Sequence, residues 1–139
     1  SENYKWINNH NNSVWSGWAQ LPPKGDDLII TKSTKDVMAI HTLTGIPAVA
    51  LQSENVLPKK QVMDELFSRF ETIYVFYDND YDKSENFGKI FGNRLATMFG
   101  LIDIYIDDKY QSKDFSDLIK NVGKDQAKEI LIRDMMIPF

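Results

Sequence analysis

The residues best suited to chemistry are three aspartates at alternate positions, Asp78, Asp80 and Asp82, which follow the apolar run YVFY. Alternate side chains of an extended backbone point the same way, so Asp78 and Asp80 can face a common ligand. Unpaired carboxylates at close range repel each other, whereas Mg²⁺ binds one or two carboxylates together with water and phosphate oxygens. The stretch therefore predicts a divalent-metal site, with Asp114, at the start of a predicted helix, as a further ligand.

The same stretch also has a structural interpretation, because an Asp-Asn-Asp loop is a common turn and helix cap. Asp82 fits that interpretation best, since it enters the turn before the next predicted helix. The apolar strand before Asp78 and the facing Asp114 favour the metal site. Both interpretations stay open at this point.

Other candidates lie around the first predicted helix. Lys32 and Lys35 flank its amino end, where the helix dipole and the free backbone amides attract phosphate. Ordinary solvated charge is the alternative for both lysines. His41 lies in the same helix and is expected to be at the surface or half-buried rather than to bind a ligand.

Composition excludes several classes of protein. The 139 residues, 42% hydrophobic and 26% charged, suit one folded domain. A net charge of −4 argues against a domain that holds nucleic acid by bulk electrostatics. The absence of cysteine excludes disulfides and thiolate metal sites and fits a reducing compartment. No apolar run reaches the roughly 18 residues of a membrane span, so no membrane partner is expected.

Short apolar runs alternate with helical patterns along most of the chain. Strands are predicted at LIIT, IPAVAL, TIYVFY and LIDIYI, with helices between and after them, in the order β-α-β-α-β-α-β-α-α. This order predicts an α/β fold with a mainly parallel four-stranded sheet flanked by helices, and LIDIYI as an edge strand. Ligands of such sheets bind beyond the carboxyl ends of the strands, where the polar residues of this chain are concentrated.

The helix predicted after the third strand has two features of its own. Gly88 and Gly92, four residues apart, are expected to allow close packing. Its apolar residues recur at helical spacing and are expected to form one face. They are Phe87, Ile90, Phe91, Leu95, Met98 and Phe99.

Residues 1–27 form an irregular segment that holds all three tryptophans and a Pro-Pro-Lys-Gly turn. Tryptophans need a surface to pack on. We therefore expect residues 1–27 to be the tail of a preceding domain, with two short extended pieces around the NNHNN turn, packed on a main domain of residues 28–139.

Three stretches together resemble the Toprim catalytic domain of bacterial and phage-encoded DNA primases. They are LIITKSTKDVMAIHTLTGIPAVALQSEN, FYDNDYD and SKDFSDLIKNVGKDQAKEIL, and the likeness covers Leu28 to about Leu131. It implies a Toprim-like, Rossmann-like sheet. The N-terminal KWINNHNNSVWSGWAQLPP is similar to the end of the primase subdomain that precedes Toprim.

The Toprim pattern is Glu-Gly-x-x-Asp after one strand and Asp-x-Asp after another. The resemblance implies that Asp78 and Asp80 are catalytic metal ligands and that Asp36 is the aspartate of the first motif. A later acidic position of primases falls on Asp114, and its second acid falls on Ser116, with Asp117 one residue on.

The chain departs from the family pattern in the first motif, where Lys32 replaces the glutamate and Ser33 replaces the glycine. A protonated lysine cannot coordinate Mg²⁺. Three alternatives follow: Glu54, at the end of the neighbouring strand, takes over the catalytic role; Lys32 contacts phosphate, together with Ser33 and Lys35; or catalysis is altered.

The resemblance implies the metal-binding domain of a DNA primase, a nucleotidyltransferase of DNA replication that joins NTPs into an RNA primer on a single-stranded DNA template. Mg²⁺ or Mn²⁺ would be its cofactor, and other primase subdomains upstream and a replicative helicase its partners. A cytoplasmic bacterial setting is implied, with the gene carried by the host, a phage or a prophage. The isolated fragment is expected to prime weakly or not at all.

Two other functions stay open. One is a non-catalytic module that binds nucleic acid or a replication partner, which the replaced first motif favours. The other is Toprim nuclease chemistry, against which the primase-like stretches on both sides argue.

Overall fold

The fold is mixed α/β, with a five-stranded, mainly parallel sheet flanked by helices, in a computed structural model that describes residues 15–51 and 57–136. The strand order is β1-β3-β2-β4-β5, with β1 antiparallel to β3 and the other pairs parallel. This arrangement confirms the predicted class and is compatible with a Rossmann-like fold. The strands are β1 (Trp15–Ser16), β2 (Gly25–Thr31), β3 (Ala48–Leu51), β4 (Phe70–Phe76) and β5 (Ile102–Ile104).

The sheet has one strand more than the four that were predicted. The additional strand, β1, pairs Trp15 with Leu51 and Ser16 with Ala50. Two residues are too few to show a periodic pattern, and their partners lie about 35 positions away, so the pairing is set by tertiary contacts. The predicted edge position of the LIDIYI strand is confirmed, because β5 ends the sheet.

Helices connect the parallel strands and follow the last one. Three begin at side-chain caps: Ser33 accepts from the Asp36 amide, Asn86 from the Lys89 amide and Asp114 from the Asp117 amide. Among the described helices, none is long and apolar enough to cross a membrane. The helices are α1 (Thr34–Thr44), α2 (Lys60–Arg69), α3 (Phe87–Phe99), α4 (Phe115–Val122) and α5 (Lys124–Glu129), which continues into a π-helical turn at Ile130–Met135.

The sheet separates two apolar cores, as expected for parallel strands covered on both faces. Leu28 and Ile30 of β2 point into the core shared with α2 and α3, whereas Ile29 points into the core shared with α1, α4 and α5. All three side chains are fully buried.

The described part of the N-terminal segment packs on the first of these cores. Trp15 and Trp18 are buried in it, with ring centroids 5.7 Å apart. The Arg69 guanidinium lies 5.9 Å from the Trp18 ring centroid and donates hydrogen bonds to the Leu21 and Pro22 carbonyls. β2 begins at Gly25, so the expected boundary between residues 27 and 28 falls inside this strand.

Helix α3 turns only part of the predicted apolar face to the sheet: Leu95 is buried, and Phe91 and Phe99 pack against the core. Phe87, Ile90 and Met98 are about half exposed, at 47%, 48% and 54%. The fully buried positions carry small residues and one leucine, because large side chains there would hold the helix away from the strand ends. Its members are Gly88, Gly92, Leu95 and Ala96.

The predicted role of the two glycines in close packing is confirmed. A Cβ atom at Gly88 would collide with the carbonyl oxygen of Asp78, and one at Gly92 would lie 3.2 Å from the Tyr77 Cβ. These two glycines allow helix α3 to pack directly against Tyr77 and Asp78, the residues that follow β4.

Candidate metal centre

Three carboxylates converge at the carboxyl end of the parallel strands, which we call the rim. Each of Asp36, Asp78 and Asp114 offers one oxygen, and these oxygens all lie within 4.8 Å of one another. Asp36 is in the first turn of α1, Asp78 lies two residues beyond β4, and Asp114 caps α4. This buried acidic cluster could hold a metal ion.

The ends of β2 and β4 set the first part of the geometry. Thr31 and Phe76 are register partners, and the Thr31 hydroxyl donates to the Phe76 carbonyl at 2.9 Å. The chain beyond each strand therefore enters the rim at the same level. Lys32 on one side and Asp78 on the other consequently come within hydrogen-bond distance, with the Lys32 Nζ 3.2 Å from the Asp78 Oδ2.

Asp36 is the most deeply buried member of the cluster, at 1% exposure. Its Oδ1 accepts hydrogen bonds from the Ser116 amide at 3.2 Å and from the Ser116 hydroxyl at 2.8 Å. Burial, followed by the charge of Asp114, raises the pKa of Asp36, while the bonds from Ser116 and Ser33 lower it. One carboxylate therefore connects the amino ends of α1 and α4.

Asp78 lies between its two acidic neighbours and a single lysine. Burial is the main cause that raises its pKa to about 6; Lys32 lowers the pKa, and Asp114 and Asp36 raise it again. The net upward shift means that one ammonium does not offset burial together with two like charges.

Asp114 joins the cluster from a helix cap. Its Oδ1 accepts the Asp117 amide at 2.8 Å, which fixes the side chain at the start of α4. The next carboxylate, Asp117, accepts the Lys113 amide at 3.3 Å and so supports the turn that leads into the helix.

Asp80 lies apart from this cluster of described residues. Its Oδ2 accepts the Gly88 amide at 3.0 Å, and its own amide donates to the Asn86 Oδ1 at 2.8 Å. The expectation that Asp78 and Asp80 face one ligand required an extended backbone, but β4 ends at Phe76. Asp80 instead stabilises the amino end of α3, where a carboxylate is favoured by the free amides.

Asn79, between the two aspartates, is fully buried and ties together the loops of the rim. Its amide nitrogen Nδ2 donates to the Ile106 carbonyl and to the Asp108 carboxylate, both at 2.6 Å. Its Oδ1 accepts from the Asn86 side chain at 2.7 Å, and its backbone N–H donates to the Lys113 carbonyl at 2.8 Å. Asp78 is held in place by these bonds one residue away.

The remaining predicted residues have different settings. Ser33 caps α1, and Lys35 is exposed in the first turn of that helix. Asp82 is exposed and pairs with the Lys113 ammonium at 3.3 Å. His41 is exposed, as expected. Glu54, the predicted catalytic substitute, belongs to residues 52–56 and lies outside the described residues.

Two functional contacts of the rim were not foreseen from the sequence. Ser116 was noted only as a departure from an acidic motif, yet it hydrogen-bonds Asp36 from 80 positions away. From the sequence, Asn79 was only the middle residue of an Asp-Asn-Asp turn. The available signal was an amide-bearing residue directly after a buried strand, where a polar side chain requires partners.

Comparison with known proteins identified no related family and no related protein of curated function.

Proposed function

We propose that this domain binds Mg²⁺ or Mn²⁺ at Asp36, Asp78 and Asp114 and catalyses nucleotidyl transfer as the Toprim domain of a DNA primase. The observation that carries the proposal is the convergence of the three carboxylates within 4.8 Å, from three separate segments of the rim. The resemblance of these same segments to primase sequences supplies the substrates: NTPs, a single-stranded DNA template and an RNA primer.

The cluster fits a hard divalent cation. Its donors are all carboxylate oxygens, which suit Mg²⁺ and Mn²⁺ better than softer metals. Three acids share one hydrogen-bonded lysine, and burial raises the pKa of Asp78 to about 6, so the site lacks positive charge. A cation bound to this cluster would supply the missing charge and stabilise charge that develops on a transferring phosphoryl group.

The chain's own residues orient that site. Ser116 fixes the carboxylate of Asp36 by two hydrogen bonds, and Asn79 fixes the backbone beside Asp78. The amino end of α1 faces the same rim, where its free amides, with Lys35, attract phosphate groups. Ser33 accepts the Asp36 amide with its oxygen and so fixes the start of α1 beside the cluster.

In the proposed reaction, the primer 3′-hydroxyl oxygen forms a bond to the α-phosphorus of an NTP, the hydroxyl proton passes to solvent water, and the bond to pyrophosphate breaks. Asp80 contributes by holding α3 against the rim through the Gly88 amide. A basic subdomain upstream would supply template contacts, consistent with the net charge of −4.

The ion pair between Lys32 and Asp78 favours a second candidate function. A lysine that permanently neutralises Asp78 would leave a metal-free scaffold for nucleic acid or a replication partner. The two candidates differ in one measurable property, which is whether a divalent cation binds to Asp78.

The test is a Mn²⁺ titration followed by electron paramagnetic resonance, with the wild type, Asp78→Asn and Asp64→Asn. Asp64 is a matched control because it is an exposed aspartate that also pairs with a lysine, Lys60, at 2.8 Å. We expect saturable binding by the wild type and by Asp64→Asn, and a loss of binding in Asp78→Asn. Wild-type protein that binds no Mn²⁺ at millimolar concentration would refute the catalytic proposal and support the scaffold.

A second measurement separates the two enzyme classes. Plasmid DNA is incubated with the wild type and Mn²⁺, and NTP binding is measured in parallel. Mn²⁺-dependent NTP binding that is lost in Asp78→Asn supports the primase. Nicking that is lost in the same variant supports the nuclease instead.

A further inference from the structure

Lys32 occupies an unusual place for a lysine in a candidate metal site. Its Nζ lies 3.2 Å from Oδ2 of Asp78, which forms the acidic cluster together with Asp36 and Asp114. The side chain of Asp78 is 12% exposed, whereas that of Lys32 is 39% exposed. The ammonium therefore reaches the acidic cluster from its solvent side.

We propose that Lys32 is the resident counter-ion of this cluster, and that a divalent cation and the Lys32 ammonium bind Asp78 in exchange for each other. The inference rests on the proposed function, which places the cation at these three carboxylates. It goes beyond that function by assigning to Lys32 the control of metal affinity.

The exchange follows from distance and charge. A cation that coordinates the cluster lies about 2.0–2.6 Å from its oxygen ligands. Lys32 in its present position would then be within a few ångströms of a doubly charged ion. Repulsion at such a distance is strong in a partly buried site, because the effective dielectric constant is far below that of water.

Lys32, and not Asp78, is the partner that can move. Asp78 follows a buried strand and is flanked by Asn79, whose four hydrogen bonds fix the backbone. Lys32 has a four-carbon flexible stem and a route to solvent. Its displacement moves the ammonium toward solvent and the amino end of α1, where phosphate is expected to bind.

The first test compares Mn²⁺ affinity in the wild type, Lys32→Gln, Lys32→Arg and Lys60→Gln. Removing the competing ammonium should tighten Mn²⁺ binding by about tenfold or more in Lys32→Gln. Lys32→Arg keeps a cation at the cluster and should bind no more tightly than the wild type. Lys60→Gln removes the same charge from an exposed aspartate, Asp64, and should leave the affinity unchanged.

The second test uses the wild-type chain and does not depend on the folding of a variant. Lysines are labelled with an amine-reactive reagent, with and without saturating Mn²⁺, and each site is quantified by mass spectrometry. Labelling of Lys32 should rise several-fold when Mn²⁺ binds, because the ammonium leaves its ion pair. Labelling of Lys60 should not change.

The inference requires both results, so either one missing overturns it. If Mn²⁺ binding depends on Asp78 but is not tightened by Lys32→Gln, or Lys32 labelling stays constant, the exchange is wrong and the proposed metal site stands. If neither the wild type nor Lys32→Gln binds Mn²⁺, the inference and the proposed function both fail.

Discussion

At the scale of single residues, the fold holds three carboxylates that repel one another close together. Asp78 has two acidic neighbours and is buried, and its one hydrogen-bonded lysine does not bring its pKa back to the ordinary value of 3.8. Folding therefore favours the protonated form of this carboxyl relative to the unfolded chain. Such a strongly perturbed acid is characteristic of functional sites.

The raised pKa of Asp78 predicts how stability changes with pH in the metal-free protein. Between pH 3.8 and about 6 the folded state binds more protons than the unfolded state, so this group's contribution is complete below 3.8 and is lost as the pH rises through about 6. Asp78→Asn should therefore gain up to about 3 kcal/mol of unfolding free energy relative to the wild type across this range.

Urea denaturation with a chelator present, at several pH values, measures this difference. Asp64→Asn, which changes an exposed aspartate of α2, is the control and should parallel the wild type. If the difference in unfolding free energy between the wild type and Asp78→Asn stays constant with pH, the prediction is wrong.

The sequence predicted that carboxylates meet at the rim, but it did not predict every residue of the cluster. Asp78 and Asp114 were predicted as ligands, and both belong to the cluster. Asp36 was assigned a supporting role and Asp80 a primary one, whereas the structure brings Asp36 into the cluster and directs Asp80 to the Gly88 amide. The difference arises because local alternation holds only while the backbone stays extended, and β4 stops at Phe76.

At the scale of elements, the packing of α3 against the end of β4 depends on a glycine, Gly88. Gly88→Ala should destabilise the protein by about 3 kcal/mol, because the new methyl group collides with the Asp78 carbonyl oxygen. It should also weaken Mn²⁺ binding, since relief of the collision displaces Asp78. Thermal denaturation and the Mn²⁺ titration measure the two effects.

Gly92→Ala is a graded control in the same helix. Its methyl group would lie 3.2 Å from the Tyr77 Cβ, which is tight but not a collision. The gain of about 1 kcal/mol in helix propensity offsets part of that strain, so the net change should be small. Equal losses in the two variants would show that α3 is not seated by Gly88.

A second prediction at this scale concerns Asn79, whose side chain connects the loops of the rim by hydrogen bonds. Asn79→Ala removes three side-chain hydrogen bonds from a fully buried residue and leaves the Ile106 carbonyl without this donor. We expect a loss of about 3 kcal/mol in unfolding free energy and weaker Mn²⁺ binding. Chemical denaturation and the Mn²⁺ titration check both.

Asn121→Ala serves as the comparison. The Asn121 side chain also donates two hydrogen bonds, to the Gln111 carbonyl and the Ser112 hydroxyl, but the residue is exposed. Its replacement should cost about 1 kcal/mol or less and leave metal affinity intact. If Asn121→Ala weakens metal binding as much as Asn79→Ala, the rim network has no special role.

The type and order of the long elements were predictable, whereas orientation was not. Apolar runs and helical spacing indicated the four parallel strands and the helices between them. The face of α3 was predicted only in part, because hydrophobic spacing alone cannot show that Gly88 must approach the Asp78 backbone and Gly92 the Tyr77 side chain. Strand β1 was predicted only as a short extended piece laid against the main domain and not as a fifth strand, because its two residues acquire their place in the sheet through pairing with β3.

At the scale of the whole molecule, metal binding and stability should be linked. The chain carries a net charge of −4, and the proposed site adds a cation where three acids meet. At a Mg²⁺ concentration about 100 times the Kd, the folded state should gain about 2.7 kcal/mol. For a domain of this size, that corresponds to a rise in Tm of about 10 °C.

Differential scanning calorimetry with and without Mg²⁺ measures this linkage. The rise should disappear on chelation and should be absent in Asp78→Asn, while Asp64→Asn should respond as the wild type does. A Tm that rises equally in all three proteins would indicate a general ionic effect and count against a specific site.

The wide spacing of the cluster along the chain has a consequence for synthesis. Asp36 and Asp78 precede β5, whereas Asp114 follows the last residue of the sheet, Ile104. A ribosome therefore releases every strand of the described residues before it releases the third carboxylate. The third carboxylate is therefore added last, when the strands that position the cluster can already pair, so folding begins with two of the three charges present.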